Sequence, residues 1–121
     1  MLIAFWIVAG LTALAFLAAG LMKLVRPSDA LASSGLTWVE DFTTGPVKLI
    51  GVAEVLGALG LVLPPLFHTA VIVSPISGIA LAALMVGAIV THIRRKESPI
   101  PPLVLGLLSI VAAVLGFTTL V

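Results

Sequence analysis

Four long apolar runs, separated by short polar segments, make up most of the chain. They cover about residues 2–25, 47–63, 66–93 and 103–121. An α-helix rises about 1.5 Å per residue, so about 20 apolar residues cross a bilayer, and each run is near that length. The runs are continuous rather than alternating, which argues against a membrane β-barrel. The pattern predicts an all-α fold: one transmembrane domain, residues 1–121, in which four helices form an antiparallel bundle.

The first apolar run carries no charge before Lys23. A secretory signal peptide would begin with a basic segment, and none precedes this run. The run is also longer than the apolar core of a signal peptide. We therefore expect an uncleaved transmembrane helix here.

Prolines are expected to set several helix boundaries. Pro46 suits the first turn of the second span, where a missing N–H costs nothing. Pro64–Pro65 is predicted to end that span, because proline cannot continue a helix. Pro75 lies inside the third run and predicts a kink, with the Ser74 hydroxyl bonding a freed carbonyl. Ser98–Pro102 is predicted to be a stiff connector.

The segment of about residues 27–45 is the longest polar stretch of the chain. Its apolar residues recur with some regularity, and Trp38 is of the type found at lipid headgroups. A short helix lying in the membrane interface fits this pattern. An ordinary loop fits it equally well, and the sequence leaves both interpretations open.

The composition places the outer surface of this bundle in lipid. Hydrophobic residues make up 61% of the chain and charged residues 9%, against about 25% charged in a soluble domain. This excludes a soluble monomer and a disordered chain. The net charge of +1 is too small for a nucleic-acid partner. The absence of cysteine excludes disulfides, thiolate metal sites and thiol redox chemistry.

The basic residues predict the orientation. All six fall on the side of the first and third connections, and the side with both termini has none. Basic residues favour the cytoplasmic side, so we expect a multi-pass protein of the cytoplasmic membrane with both termini outside. The six are Lys23, Arg26, Lys48, Arg94, Arg95 and Lys96.

Three ionisable residues are the candidates for a functional site. Glu54 lies inside the second span, where a carboxylate costs at least about 2–3 kcal/mol and should face protein or water. Lys23 and His92 lie at the ends of two other spans, on the same side of the membrane. Lys48 is on another face of the same helix as Glu54 and is a poor partner for it. We expect Glu54 to pair with Lys23 or His92, directly or through one water.

These residues permit two interpretations. In the functional one they form a polar ligand-binding pocket, in which Glu54 and His92 are also the candidate catalytic acid and base. In the structural one, Lys23 and Glu54 are a buried ion pair that fixes the helix register, and His92 is an interfacial residue. Gly20 and Gly51 belong to the candidate ligand-binding set, because small residues let a second helix or a ligand approach.

Other small residues predict close helix packing. In the second span they are Gly57, Ala58 and Gly60. In the fourth span they form a small face that would pack either within the bundle or between subunits: Ser109, Ala112, Ala113 and Gly116.

No metal site is expected. His68 and His92 lie at opposite ends of the third span, too far apart to ligate one metal or one haem. One histidine with one glutamate is a weak set of ligands.

Short motifs around the three ionisable residues resemble those of the DoxX-like family. They are a Gly-x-x-Lys-Leu end of the first span, Gly20–Leu24; a Gly-x-x-Glu-x-x-Gly core of the second, Gly51–Gly57; a Leu-x-Leu-Pro end, Leu61–Pro64; and Gly-Ala-x-x-x-His, Gly87–His92. The resemblance covers nearly the whole chain and implies a four-helix integral membrane bundle. It matches Lys23, Glu54 and His92 to the recurrent polar residues of the family.

Three functional hypotheses remain open. The first is a protein that holds a lipid, a quinone or another hydrophobic molecule at the Glu54 pocket, or serves as accessory subunit of a membrane redox system, as the resemblance implies. The second is a small enzyme that performs acid–base chemistry, such as isomerisation, on an apolar substrate. The third is a structural partner or chaperone of another membrane protein. No cofactor is evident apart from the candidate quinone; partners would be the bilayer, the ligand, and a second copy or another membrane protein.

Overall fold

The computed structural model describes residues 1–26, 28–33 and 44–121, and over these ranges it has five α-helices and no strand. Four of the helices are long and apolar enough to cross a membrane. The predicted all-α fold is therefore confirmed, and the protein is a multi-pass membrane protein. The helices are α1 (Leu2–Val25), α2 (Ser28–Ser33), α3 (Thr44–Leu66), α4 (Val73–Arg94) and α5 (Ile100–Thr119).

The four long helices form a ring in which each packs against two neighbours. Helix α1 contacts α3 and α5, and α4 contacts the same two helices from the other side. The residues between them form a core of aromatic, aliphatic and small side chains. Its buried members include Phe5, Phe16, Leu61, Leu81 and Ala112.

Large apolar side chains cover the outside of this ring. Ile3, Leu14, Leu56, Val86 and Val114 are all more than half exposed. Contiguous apolar surface of this extent is unusual on a soluble monomer. It fits an outer surface that faces acyl chains, with the polar backbone groups bonded inside the helices.

Small residues bring α4 and α5 into close contact. A Cβ added to Gly78 would lie 2.9 Å from the carbonyl oxygen of Ser109, and one added to Gly116 would lie 3.1 Å from Pro75 Cβ. Ser109, Gly116 and the two alanines between them are buried. The small face of the last span therefore packs within the bundle.

The sequence predicted that the second span ends at Pro64–Pro65. In the structure it does not end there. Helix α3 continues through Pro64 and Pro65 to Leu66. Proline at position 65 cannot donate to the carbonyl of Leu61, four residues earlier. Ser74 Oγ donates to that carbonyl instead, at 2.6 Å. The prediction was wrong because a neighbouring helix supplies the missing donor.

The predicted kink at Pro75 is also wrong. Helix α4 begins at Val73, so Pro75 lies in its first turn rather than in its interior. Residues 67–72 form turns, in which His68 and Ala70 have positive φ angles. A first-turn proline leaves no interior hydrogen bond missing, so it has no reason to bend the helix.

The other predicted boundaries differ less. Helix α5 begins at Ile100, and Pro101 and Pro102 lie in its first turn instead of in a connector. Within the polar segment of residues 27–45, the structure shows the short helix α2. Trp38, expected at the interface, lies outside the described residues.

Candidate functional site

A buried ion pair joins α1 to α3. Lys23 Nζ lies 2.7 Å from Glu54 Oε1, and the two side chains are 7% and 3% exposed. Lys23 lies in the last turn of α1, while Glu54 lies deeper, in the third turn of α3. The expected pairing of Glu54 with Lys23 is therefore present in the structure.

Two glycines bring the backbones of α1 and α3 together beside this pair. A Cβ on Gly20 would lie 2.7 Å from the carbonyl oxygen of Gly51, and a Cβ on Gly51 would lie 2.9 Å from that of Gly20. Each added Cβ would also lie 3.1 Å from the Cβ of the nearer ion-pair residue, Glu54 or Lys23. The glycines thus set the spacing at which a lysine and a glutamate can meet.

A cavity of about 470 Å³ lies beside the ion pair, between the four long helices. Its size falls within the range of about 300–1,000 Å³ that is usual for small-molecule sites. Lys23, Glu54, Thr91 and His92 supply its polar wall. The other wall residues are apolar or small: Ala19, Ile50, Leu84, Met85, Gly87, Ala88, Pro101, Pro102 and Leu105.

The cavity exists because α3 and α4 are packed closely at one end only. A Cβ on Gly57 would clash with Leu81, and a Cβ on Gly60 would lie 3.3 Å from Ser77 Cβ, so no space remains there. Toward the other end, a Cβ on Gly87 would meet nothing within 4 Å. Gly87 is exposed and also lines the cavity. The cavity therefore reaches the exposed surface of α4 at Gly87.

His92 lines the same cavity and lies beside Glu97. His92 Nδ1 lies 3.5 Å from Glu97 Oε1, and Arg95 Nε lies 3.1 Å from Glu97 Oε2. Nδ1 is buried and, over residues 1–26, 28–33 and 44–121, has no hydrogen-bond partner. The three predicted residues thus line one cavity, Lys23 from α1, Glu54 from α3 and His92 from α4.

Lys48 has a role that the sequence did not reveal. Its Nζ donates to the backbone carbonyls of Lys23, Leu24 and Arg26, the last two at 3.1 and 2.7 Å. The final carbonyls of a helix lack partners within the helix and carry partial negative charge, so a cation is favourable there. Lys48 therefore fixes the end of α1 to the start of α3, beside Lys23 of the ion pair. A lysine one turn into a helix that follows a polar connection was the signal available.

The cavity wall presents hydrogen-bond donors and acceptors next to apolar surface. An ammonium offers three donors, an ionised carboxylate accepts at two oxygens, and an imidazole can do either. Among the described residues, no group of three His, Asp or Glu side chains is placed to hold a metal ion.

Comparison with known proteins gives a family match. The model of a family described as the DoxX-like family matches residues 7–116. No curated protein and no solved structure matches significantly.

Proposed function

The chain belongs to the DoxX-like family, and we propose that it holds a hydrophobic small molecule, such as a lipid or a quinone, with the polar end of that molecule at the Lys23–Glu54 pair. The single observation that carries the proposal is the cavity of about 470 Å³ beside that pair. Ionisable residues within membrane spans are costly and usually mark functional sites.

The structural interpretation accounts for the pair but not for the space. A lysine and a glutamate that only fixed the helix register would be best stabilised by close packing on every side. Gly20 and Gly51 provide such packing between α1 and α3. On the side of α4 and α5 the same pair borders a cavity instead.

The exposed cavity wall at Gly87 supports a ligand that comes from the bilayer. Gly87 combines exposure with a position in the cavity wall, and neighbouring outward residues such as Val86 and Val90 are apolar. A molecule dissolved in the membrane can reach such a site without crossing water. Its chain would contact Ile50, Leu84 and Met85.

The membrane location of the protein, its orientation and its assembly are also part of the proposal. The six basic residues lie at the end of the bundle that holds the cavity or in its connections. The bias of basic residues toward the cytoplasm supports a cytoplasmic-membrane protein with both termini outside and the cavity in the inner half. The resemblance to the family further suggests an accessory subunit of a membrane redox assembly as the context for ligand binding.

The experiment is native mass spectrometry of the protein extracted with its surrounding lipid in polymer discs. We expect a retained molecule of discrete mass that survives removal of bulk lipid. Ala88→Phe, which fills the cavity, should abolish retention. Ala83→Phe is the matched control, because Ala83 is exposed on the same helix. Equal retention by both variants, or no retained molecule in the unmodified protein, would refute the proposal.

A further inference from the structure

The charged side chains in the cavity wall have opposite signs. Among the described residues these are Lys23 and Glu54, whose Nζ and Oε1 atoms are 2.7 Å apart. A charged head group has two ways to enter. It can remain unpaired beside the ion pair, or it can separate the pair and leave one buried charge without its partner. Both are unfavourable beside a buried ion pair.

The same pair offers a donor and an acceptor next to each other. The ammonium of Lys23 can only donate hydrogen bonds, and the ionised carboxylate of Glu54 can only accept them. A hydroxyl group both donates and accepts, so one hydroxyl can bond to both members of the pair. Of the two members of the pair, an ether or ketone oxygen can bond only to Lys23.

The rest of the cavity wall determines the chemical character of the remainder of the ligand. Ile50, Leu84, Met85 and Leu105 present aliphatic surface, which favours a hydrocarbon chain. The opening at Gly87 lets such a chain extend toward the lipid.

We infer that the ligand of this cavity is an uncharged amphiphile whose polar end carries a hydroxyl group, bound between Lys23 and Glu54. This inference rests on the proposed function and narrows it to a chemical class. It excludes molecules with an anionic or cationic head group. Molecules whose polar end carries only an acceptor oxygen should bind more weakly than those with a hydroxyl group.

The test uses four probes with the same chain: dodecanol, dodecyl methyl ether, dodecanesulfonate and dodecyltrimethylammonium. Each is titrated at equal mole fraction into lipid discs that contain the full-length protein. The readout is the NMR signals of the Ile50 δ1 and Met85 ε methyl groups, which lie in the cavity wall. The Ile110 δ1 methyl group is the control for general lipid effects, because it is 49% exposed on the outer surface.

Dodecanol should shift the two cavity signals saturably, and the Ile110 signal should shift little. The two charged probes should bind at least about tenfold more weakly, because each brings a charge without a partner. The affinity for dodecyl methyl ether should lie between that for dodecanol and those for the two charged probes. If a charged probe binds as tightly as dodecanol, the inference is overturned while the proposed function stands. If none of the four probes shifts the cavity signals, the proposed function fails as well.

Two variants give a second test. Each removes one charge of the ion pair and should improve the binding of one charged probe. Lys23→Met leaves the carboxylate alone and should raise the relative affinity for dodecyltrimethylammonium. Glu54→Gln leaves the ammonium without an opposite charge and should raise the relative affinity for dodecanesulfonate. Unchanged selectivity in both variants would contradict a site at the ion pair. If neither variant folds, the four-probe series on the unmodified protein still decides the inference.

Discussion

Ser74 Oγ lies 2.6 Å from the carbonyl oxygen of Leu61, the acceptor that Pro65 leaves without its helical donor. Ser74 is fully buried in the first turn of α4. One hydroxyl group therefore satisfies the carbonyl that Pro65 frees and also ties α3 to the next helix.

Replacing this hydroxyl should destabilise the bundle. Ser74→Ala leaves the buried Leu61 carbonyl without its partner, which costs about 1–3 kcal/mol of unfolding free energy. Denaturant unfolding in mixed micelles, followed by circular dichroism, measures the loss. Thr118→Ala is the matched control, because the exposed Thr118 hydroxyl bonds to the Val114 carbonyl of its own helix. Equal effects of the two substitutions would contradict this role of Ser74.

The prolines show where sequence patterns stop being informative. Four apolar runs predicted the four long helices, because hydrophobic length alone determines whether a helix can span a bilayer. The end of α3 and the start of α4 were wrong by several residues. Whether Pro64–Pro65 ends a helix depends on a donor from another element, and Ser74 lies nine residues beyond Pro65.

The candidate site likewise has contacts that the sequence predicted and contacts that it did not. Glu54 and Lys23 were predictable partners, because a carboxylate within a span needs a compensating group and few cations lie at its depth. The pairing of His92 with Glu97 was not predicted, because it depends on how the chain turns after α4. The role of Lys48 was missed because its partners are backbone carbonyls at the end of another helix, and its position one turn into α3 was a weak signal.

The ion pair should show strong coupling in a double-mutant cycle. Lys23→Met strands a buried carboxylate and should cost about 3–5 kcal/mol. Glu54→Gln should cost less, since the amide oxygen can still accept from Lys23 and the long lysine side chain can reach the interface. The double variant should be more stable than the sum of the two single losses implies. Additive losses in the same unfolding assay would show that the two residues do not interact.

The glycine contact should not tolerate a side chain. Gly20→Ala places a Cβ 2.7 Å from the Gly51 carbonyl oxygen and should cost about 1–3 kcal/mol, because the two helices must separate. Gly10→Ala in the same helix is the control, since its Cβ would meet nothing within 4 Å. That control should be neutral or stabilising by up to about 1 kcal/mol. The reverse order of stability would contradict the close approach of α1 and α3.

Lys48 should protect the end of α1. Lys48→Met removes the donors to three carbonyls, so the last turn of α1 should fray and its amides should exchange faster with deuterium. Lys48→Arg, which keeps a charged donor, should restore part of the protection. The amides in the middle of α5 are the internal reference and should not change. Equal exchange in the methionine and arginine variants would refute the capping role.

The orientation can be tested with single cysteines, because the natural chain has none. Ser98 and Val121 lie at opposite ends of α5. Ser98→Cys should react only with reagents that reach the cytoplasm, and Val121→Cys only with reagents outside the cell. Labelling of both from one side would contradict α5 as a membrane span, and the opposite pattern would invert the proposed orientation.

The most direct test of ligand binding at the ion pair is photo-crosslinking with photo-methionine in native membranes. The chain has three methionines, and Met85 lies in the cavity wall while Met1 and Met22 lie elsewhere on α1 or at its start. We expect one discrete small-molecule adduct on Met85 that is lost in Ala88→Phe and retained in Ala83→Phe. Adducts of the same kind on all three methionines, or a Met85 adduct that Ala88→Phe leaves unchanged, would contradict a ligand held beside Lys23 and Glu54.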